Sequence, residues 1–154
     1  MKTTFRSFTF CLTAAALASA CATTPMPATA QANAPGAASP AVPTRQPPLL
    51  EAKLDGIKTT DGKDVDSVMY IADFPPGSVS AHHAHPGWEY NYILKGSITF
   101  EVDGQAPYTL KAGQGMFNKR GNVHTVRNAS KTEPAQLVSV LIKDLGAPVA
   151  VNVP

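Results

Sequence analysis

The chemistry-bearing residues of this sequence fall in two glycine-bounded stretches. The first, GSVSAHHAHPGWEYNYILKG from Gly77 to Gly96, holds three of the four histidines. His83 and His85 are two residues apart, and on a β-strand that spacing points both imidazoles to one face. Pro86-Gly87 then breaks the strand, and Glu89 stands near the start of the β-prone run WEYNYIL. If that run pairs back on the first strand, a carboxylate comes up beside two imidazoles. Two or three neutral imidazoles with one carboxylate suit a divalent transition metal. His82 is adjacent to His83 and is expected to leave the strand on the opposite face, outside any ligand shell. The second stretch, GQGMFNKRGNVHTVRN from Gly113 to Asn128, carries the fourth histidine, His124. A lone buried histidine is usually a hydrogen-bonded core residue. Several on one wall beside a glutamate are costly to bury without a charge partner, which favours a metal.

The spacing in these stretches resembles the two motifs of the cupins, a family of small β-barrels. Gly77, His83, His85, Glu89 and Gly96 match the first motif in type and spacing. Gly113, Gly121, His124 and Asn128 fit the second, with Lys119 standing where the pattern has proline. The resemblance implies a jelly-roll, or double-stranded β-helix, with one metal ion inside one end. It implies His83, His85, Glu89 and His124 as the ligands, and Fe, Mn, Zn, Ni or Cu as candidate ions.

The elements that must position these residues read as nearly all strand. Val65 to Phe74 is β-prone and closes at Pro75-Pro76-Gly77. Val79 to His85 and Trp88 to Leu94 carry the first motif. Ser97 to Val102 alternates, placing Ile98, Phe100 and Val102 on one face and Glu101 on the other. Asp103-Gly104 signals a hairpin to Pro107 to Leu110. Met116 to Asn118, Val123 to Arg127 and Leu137 to Ile142 complete the set. No helical periodicity competes with it, and short strands with Gly and Pro turns argue for a sandwich or barrel.

These strands lie in residues 49–154, a length suited to one domain. There, ten Lys and Arg stand against eleven Asp and Glu, so the basic balance of the chain comes from its first 48 residues. No basic patch interleaved with aromatics points to nucleic acid. Both cysteines precede Leu49, so no disulfide is expected in the domain.

Residues 1–20 read as an export signal, with Lys2 and Arg6 ahead of an uncharged run too short to span a bilayer. Leu17 to Cys21 resembles a bacterial lipobox, which would lipidate Cys21 and anchor a periplasmic protein to the outer membrane. Ala28-Thr29-Ala30 offers ordinary cleavage as the alternative. Residues 21–48 read as a disordered tether. From Ala22 to Pro48, eight of 27 residues are Ala and seven are Pro, and Arg45 is the one charge.

Function is bounded less tightly. After Glu89, strand parity turns Asn91 and Ile93 inward and Tyr90, Tyr92 and Leu94 outward. No second interior carboxylate or spare histidine is expected. That fits chemistry carried by a metal, such as oxygen activation, better than proton shuttling. The expectation is an exported, metal-dependent, dioxygenase-like oxidoreductase acting on a small organic molecule. The alternative is a non-catalytic envelope protein that binds a metal or small ligand. A polar wall around an open metal position would favour the first, and an apolar-filled barrel the second. The resemblance also implies a homodimer.

Overall fold

The computed structural model describes residues 39–154. The expected signal peptide, Cys21 and most of the expected tether lie outside the described residues. Among the described residues every regular element is a strand: β1 Thr44–Arg45, β2 Leu50–Lys58, β3 Asp64–Phe74, β4 His83–Ala84, β5 Gly87–Lys95, β6 Ser97–Val102, β7 Tyr108–Lys111, β8 Gly115–Asn118, β9 His124–Asn128, β10 Ala135–Asp144 and β11 Val151–Asn152. One sheet runs β1-β3-β10-β5-β8, with β2 also on β3; the other runs β11-β4-β9-β6-β7. All strand pairs are antiparallel. The fold is the all-β jelly roll that the motifs imply.

Period-two alternation builds the core. Val68, Tyr70, Ala72 and Phe74 of β3 and Leu137 and Leu141 of β10 point inward from one sheet. Ile98 and Phe100 of β6 and Val126 of β9 meet them from the other. Ile93, Ile98, Phe100 and Leu141 are wholly excluded from water, and each such side chain contributes roughly 1.5–3 kcal/mol by burial.

Three features depart from the strand pattern expected of the sequence. The stretch Val79 to His85 is regular only at His83–Ala84. Val79 bridges Arg127 while His83 pairs with His124, so the first side carries one extra residue between these contacts. This is a β-bulge, and it bends the strand into the barrel end. The second departure is β2, which no alternation in the sequence marks. It lies on the outer edge of β3, largely exposed, with a register break between Lys53 and Lys58. An edge strand rich in charge has no buried face to set a period. The third is the chain upstream of Leu49. Backbone pairing to the barrel begins inside the stretch expected as tether: Val79 donates to the Ala41 carbonyl at 2.9 Å, β1 pairs with β3, and Gln46 donates to Ile71 at 2.8 Å.

The motif glycines Gly77, Gly96, Gly113 and Gly121 all have positive φ. Gly121 shows why this matters to the site. At φ +76 it turns the loop before β9 so that its N–H reaches the His85 carbonyl at 3.1 Å. A side chain is disfavoured in that conformation.

Candidate metal centre

The ladder sets the geometry. His83 on β4 is the cross-strand partner of His124 on β9, so the two side chains stand side by side. His85 follows on the same face, and Glu89 enters on β5. The ligand-capable ring atoms of His83, His85 and His124 all lie within 4.8 Å of one another. Glu89 Oε2 lies 3.3 Å from His85 Nε2 and 3.8 Å from His124 Nε2. His85, Glu89 and His124 are buried, and His83 is half-buried. The structure thus brings the three histidines together, with Glu89 set against His85 and His124.

Each imidazole is held by its other nitrogen. Nδ1 of His83 faces the Ala81 carbonyl at 2.8 Å, that of His85 the Val149 carbonyl at 2.6 Å, and that of His124 the Asn122 carbonyl at 3.2 Å. A carbonyl only accepts, so each Nδ1 carries the proton and each Nε2 presents a lone pair. Asn118 also lies 3.1 Å from His124 Nδ1, and its own Oδ1 has no partner. Turning that amide over lets Oδ1 accept from His124 and resolves the orphan. Ser139, fully buried on β10, donates to Glu89 Oε1 at 3.1 Å.

What these atoms lack is equally informative. Nε2 of His85, Nε2 of His124 and Oε2 of Glu89 are all buried without a hydrogen-bond partner. The His85–Glu89 contact is close enough for charge attraction, but neither of its atoms is hydrogen-bonded. Buried polar atoms are almost always satisfied, and three converging acceptors are satisfied together by a cation. The residues therefore fit a divalent metal ion.

The electrostatics agree. Burial pushes the His124 imidazole down to about 4, and burial also lowers His83, so both are neutral at pH 7. Burial alone would raise the Glu89 carboxyl, but His85 and His124 outweigh it and hold it well below the usual range. Burial alone would lower His85, but the Glu89 carboxylate outweighs it and raises the affinity of that ring for a proton. Glu89 is thus an ionised carboxylate that attracts positive charge to the point the rings share.

His82 points away, as expected: its Nε2 lies 3.1 Å from Asp103, on the exposed side. Asn91 and Ile93 are buried while Tyr90, Tyr92 and Leu94 are exposed, which matches the expected parity. Glu101 faces outward and pairs with Arg127 at 2.6 Å. Asn128 of the second motif is structural. Its amide donates to the carbonyls of Phe74, Pro75 and Glu133, and its Oδ1 accepts from the Ser130 N–H.

A cavity of about 380 Å³ opens beside the centre, lined by His83, His85, Glu89 and Asn91 and by apolar residues including Phe74, Phe100 and Leu137. Tyr70 and Arg45 also line it, and neither belongs to the two motif stretches. Tyr70 lies on the inward face of β3, and period-two alternation over that strand would have placed it there. Burial, aided by the Glu89 charge, pushes its phenol up to about 12, so it stays protonated. Arg45 enters from β1, where no periodicity announces it.

Comparison with known proteins agrees with this geometry. The family model described as a cupin domain matches residues 70–141. Nitrosourea synthase from Streptomyces achromogenes subsp. streptozoticus is 33% identical over 76 residues, 49% of this chain and 16% of that protein. Dimethylsulfoniopropionate lyase DddQ from Ruegeria pomeroyi is 33% identical over 58 residues, 38% of this chain and 29% of that one. The chain spans less than a third of the length of either curated relative. An uncharacterised conserved protein of Klebsiella pneumoniae with a double-stranded β-helix domain matches with a TM-score of 0.55 and 27% identity, covering 74% of this chain and 89% of that one. The family match across the two motif stretches, together with this likeness to a protein with a double-stranded β-helix domain, identifies residues 70–141 of this chain as a cupin domain.

Proposed function

We propose that this cupin is a metal-dependent, dioxygenase-like oxidoreductase acting on a small organic molecule, with His83, His85, Glu89 and His124 as ligands of one divalent transition metal. The observation that carries the reading is the set of buried, unpartnered Nε2 and Oε2 atoms converging beside an open cavity. A bound ion of redox-active type would supply Lewis acidity and electrons at an open coordination position. The chain's own groups do the rest. Backbone carbonyls hold the imidazole tautomers, Ser139 fixes Glu89, and the apolar walls limit water. Glu89 is the one carboxylate lining the cavity, and the three proposed ligand histidines leave no fourth imidazole free to shuttle protons. Tyr70 is too weak an acid to serve as a base at neutral pH.

The named relatives differ in reaction, a lyase and a synthase, so the barrel alone does not choose the chemistry. A cavity lined by Asn91, Tyr70 and Arg45 as well as apolar groups supports an enzyme over a non-catalytic binder of metal or small ligand. The test is metal analysis of the native protein by mass spectrometry, followed by oxygen uptake across a panel of small organic compounds. Stoichiometric metal with substrate-dependent uptake is expected. Metal with no turnover of any compound would favour the binder, and protein that takes up no metal would remove the reading.

The reading includes export, with Cys21 lipidated and the domain held at the periplasmic face of the outer membrane. A diacylated Cys21 as the first residue of the native protein would support it, and a mature start at Gln31 would withdraw the anchor. It also includes a homodimer. The exposed Tyr90, Tyr92 and Leu94 of β5 adjoin Phe117 of β8, whose ring lies 4.9 Å from that of Tyr90. Such an apolar face suits a second copy.

A further inference from the structure

We infer that the cavity takes a ligand bearing a carboxylate, and that Arg45 is the residue that recognises it. This rests on the proposed metal site. Two charged side chains line the cavity, Glu89 and Arg45. Glu89 is engaged, with Oε1 accepting from Ser139 and Oε2 set against His85 and His124. Arg45 has no carboxylate within ion-pair distance among the described residues.

Arg45 is nonetheless held in place. It pairs with Ala72 across the β1–β3 ladder, and its neighbour Gln46 donates from its side chain to Asp73 at 2.7 Å. Its guanidinium lies 5.3 Å from the centre of the Tyr70 ring, whose face attracts a cation. Strand β1 thus carries this guanidinium to the lining of the cavity.

Charge balance then selects the ligand. The one carboxylate in the lining, Glu89, is already set against the histidines and would offset only part of a divalent ion's charge, so none of it is left for Arg45. Arg45 is exposed, so solvent screens its charge, and what it offers a ligand is an unpaired guanidinium at the edge of a largely apolar cavity. A planar guanidinium matches a carboxylate with two parallel hydrogen bonds. The apolar wall formed by Ala72, Phe74, Phe100, Val126 and Leu137 suits a hydrocarbon body and offers nothing to the further oxygens of a phosphate.

The experiment uses the full chain loaded with zinc, which avoids redox turnover, and follows propionate and its uncharged isostere propionamide by calorimetric titration. The wild-type protein should bind propionate at least tenfold more tightly than propionamide. Arg45→Gln should weaken propionate about tenfold and leave propionamide unchanged, a loss in keeping with one charge-assisted hydrogen-bonding group. Arg45→Lys should recover part of the affinity, and zinc content should be the same in all three proteins. If zinc binds but propionate is no better than propionamide, or is unaffected in Arg45→Gln, the inference is overturned and the metal site stands. Loss of zinc in Arg45→Gln would make Arg45 a structural residue and overturn it too. Failure of the wild type to bind zinc would overturn both.

Discussion

Replacing His83 with alanine, beside the same change at His82, tests the centre through stability rather than turnover. The two residues are neighbours in sequence but face opposite ways: His83 lies among the imidazoles, its ring 4.3 Å from that of His124, while His82 lies 3.1 Å from Asp103 at the surface. The apolar core that carries the barrel, Ile93, Ile98, Phe100 and Leu141, is touched by neither change. An ion bound only by the folded state stabilises it by mass action. At a metal concentration of 100 times Kd that is about 2.7 kcal/mol. Loss of one ligand that weakens binding about 100-fold leaves roughly 0.4 kcal/mol under the same conditions. The difference, about 2.3 kcal/mol, is worth about 9 °C in Tm at roughly 4 °C per kcal/mol for a domain of this size. Calorimetric melts with zinc and with chelator should therefore show a large metal-dependent rise for the wild type and for His82→Ala. His83→Ala should show almost none, with chelated Tm values close together and an unchanged β spectrum. A metal-dependent rise that survives in His83→Ala and vanishes in His82→Ala would refute the ligand register, and no rise in the wild type would refute the site.

Other consequences are independent of metal. Asn128→Ala leaves the Phe74, Pro75 and Glu133 carbonyls without their donor, so urea denaturation should show a loss of about 2–4 kcal/mol. Gly87→Ala would drive a Cβ into the backbone of Ile142 and Lys143 on the neighbouring strand; the barrel should be recovered poorly or melt far lower, since neither backbone is free to move. Arg120 clamps Asp144 through two 2.6 Å hydrogen bonds and also donates to the Pro86 carbonyl, and the clamp lowers the Asp144 carboxyl below its ordinary 3.8. A lowered carboxyl contributes stability that is full above its unfolded value and is lost as pH falls through the folded one. Acid melts should therefore separate wild type from Asp144→Asn above pH 4 and bring them together below it.

Much of the centre was legible because strand periodicity and motif spacing report on the same geometry. His83 and His85 share a face, the Pro86-Gly87 break brings Glu89 back beside them, and a histidine in the second stretch falls opposite the first. Asn91 inward and Tyr92 outward follow from Glu89 by parity alone. The bulge between Val79 and His83 did not disturb this, because it lies upstream of both ligand histidines and shifts neither relative to the other. What escaped was structure without a period. Edge strand β2 is exposed on nearly every residue, and β1 is two residues within a stretch whose composition reads as linker.

The acceptors that set the imidazole tautomers are of the same kind. They are the backbone carbonyls of Ala81, Asn122 and Val149, and a carbonyl has no residue type to recognise. Two come from within two residues of their own histidine, so local turn geometry supplies them. Val149 comes from the far end of the chain, where β11 pairs with β4 through Ala84 and His83. The cavity is therefore lined by both ends of the described chain, with Arg45 on β1 at one and Val149 before the last strand at the other. A motif confined to Gly77–Asn128 can specify where an ion would sit. What lies beside that ion is shared: Asn91, Phe100 and Val126 come from within Gly77–Asn128, and Arg45, Tyr70 and Val149 from segments outside it, which no ligand spacing marks in the sequence.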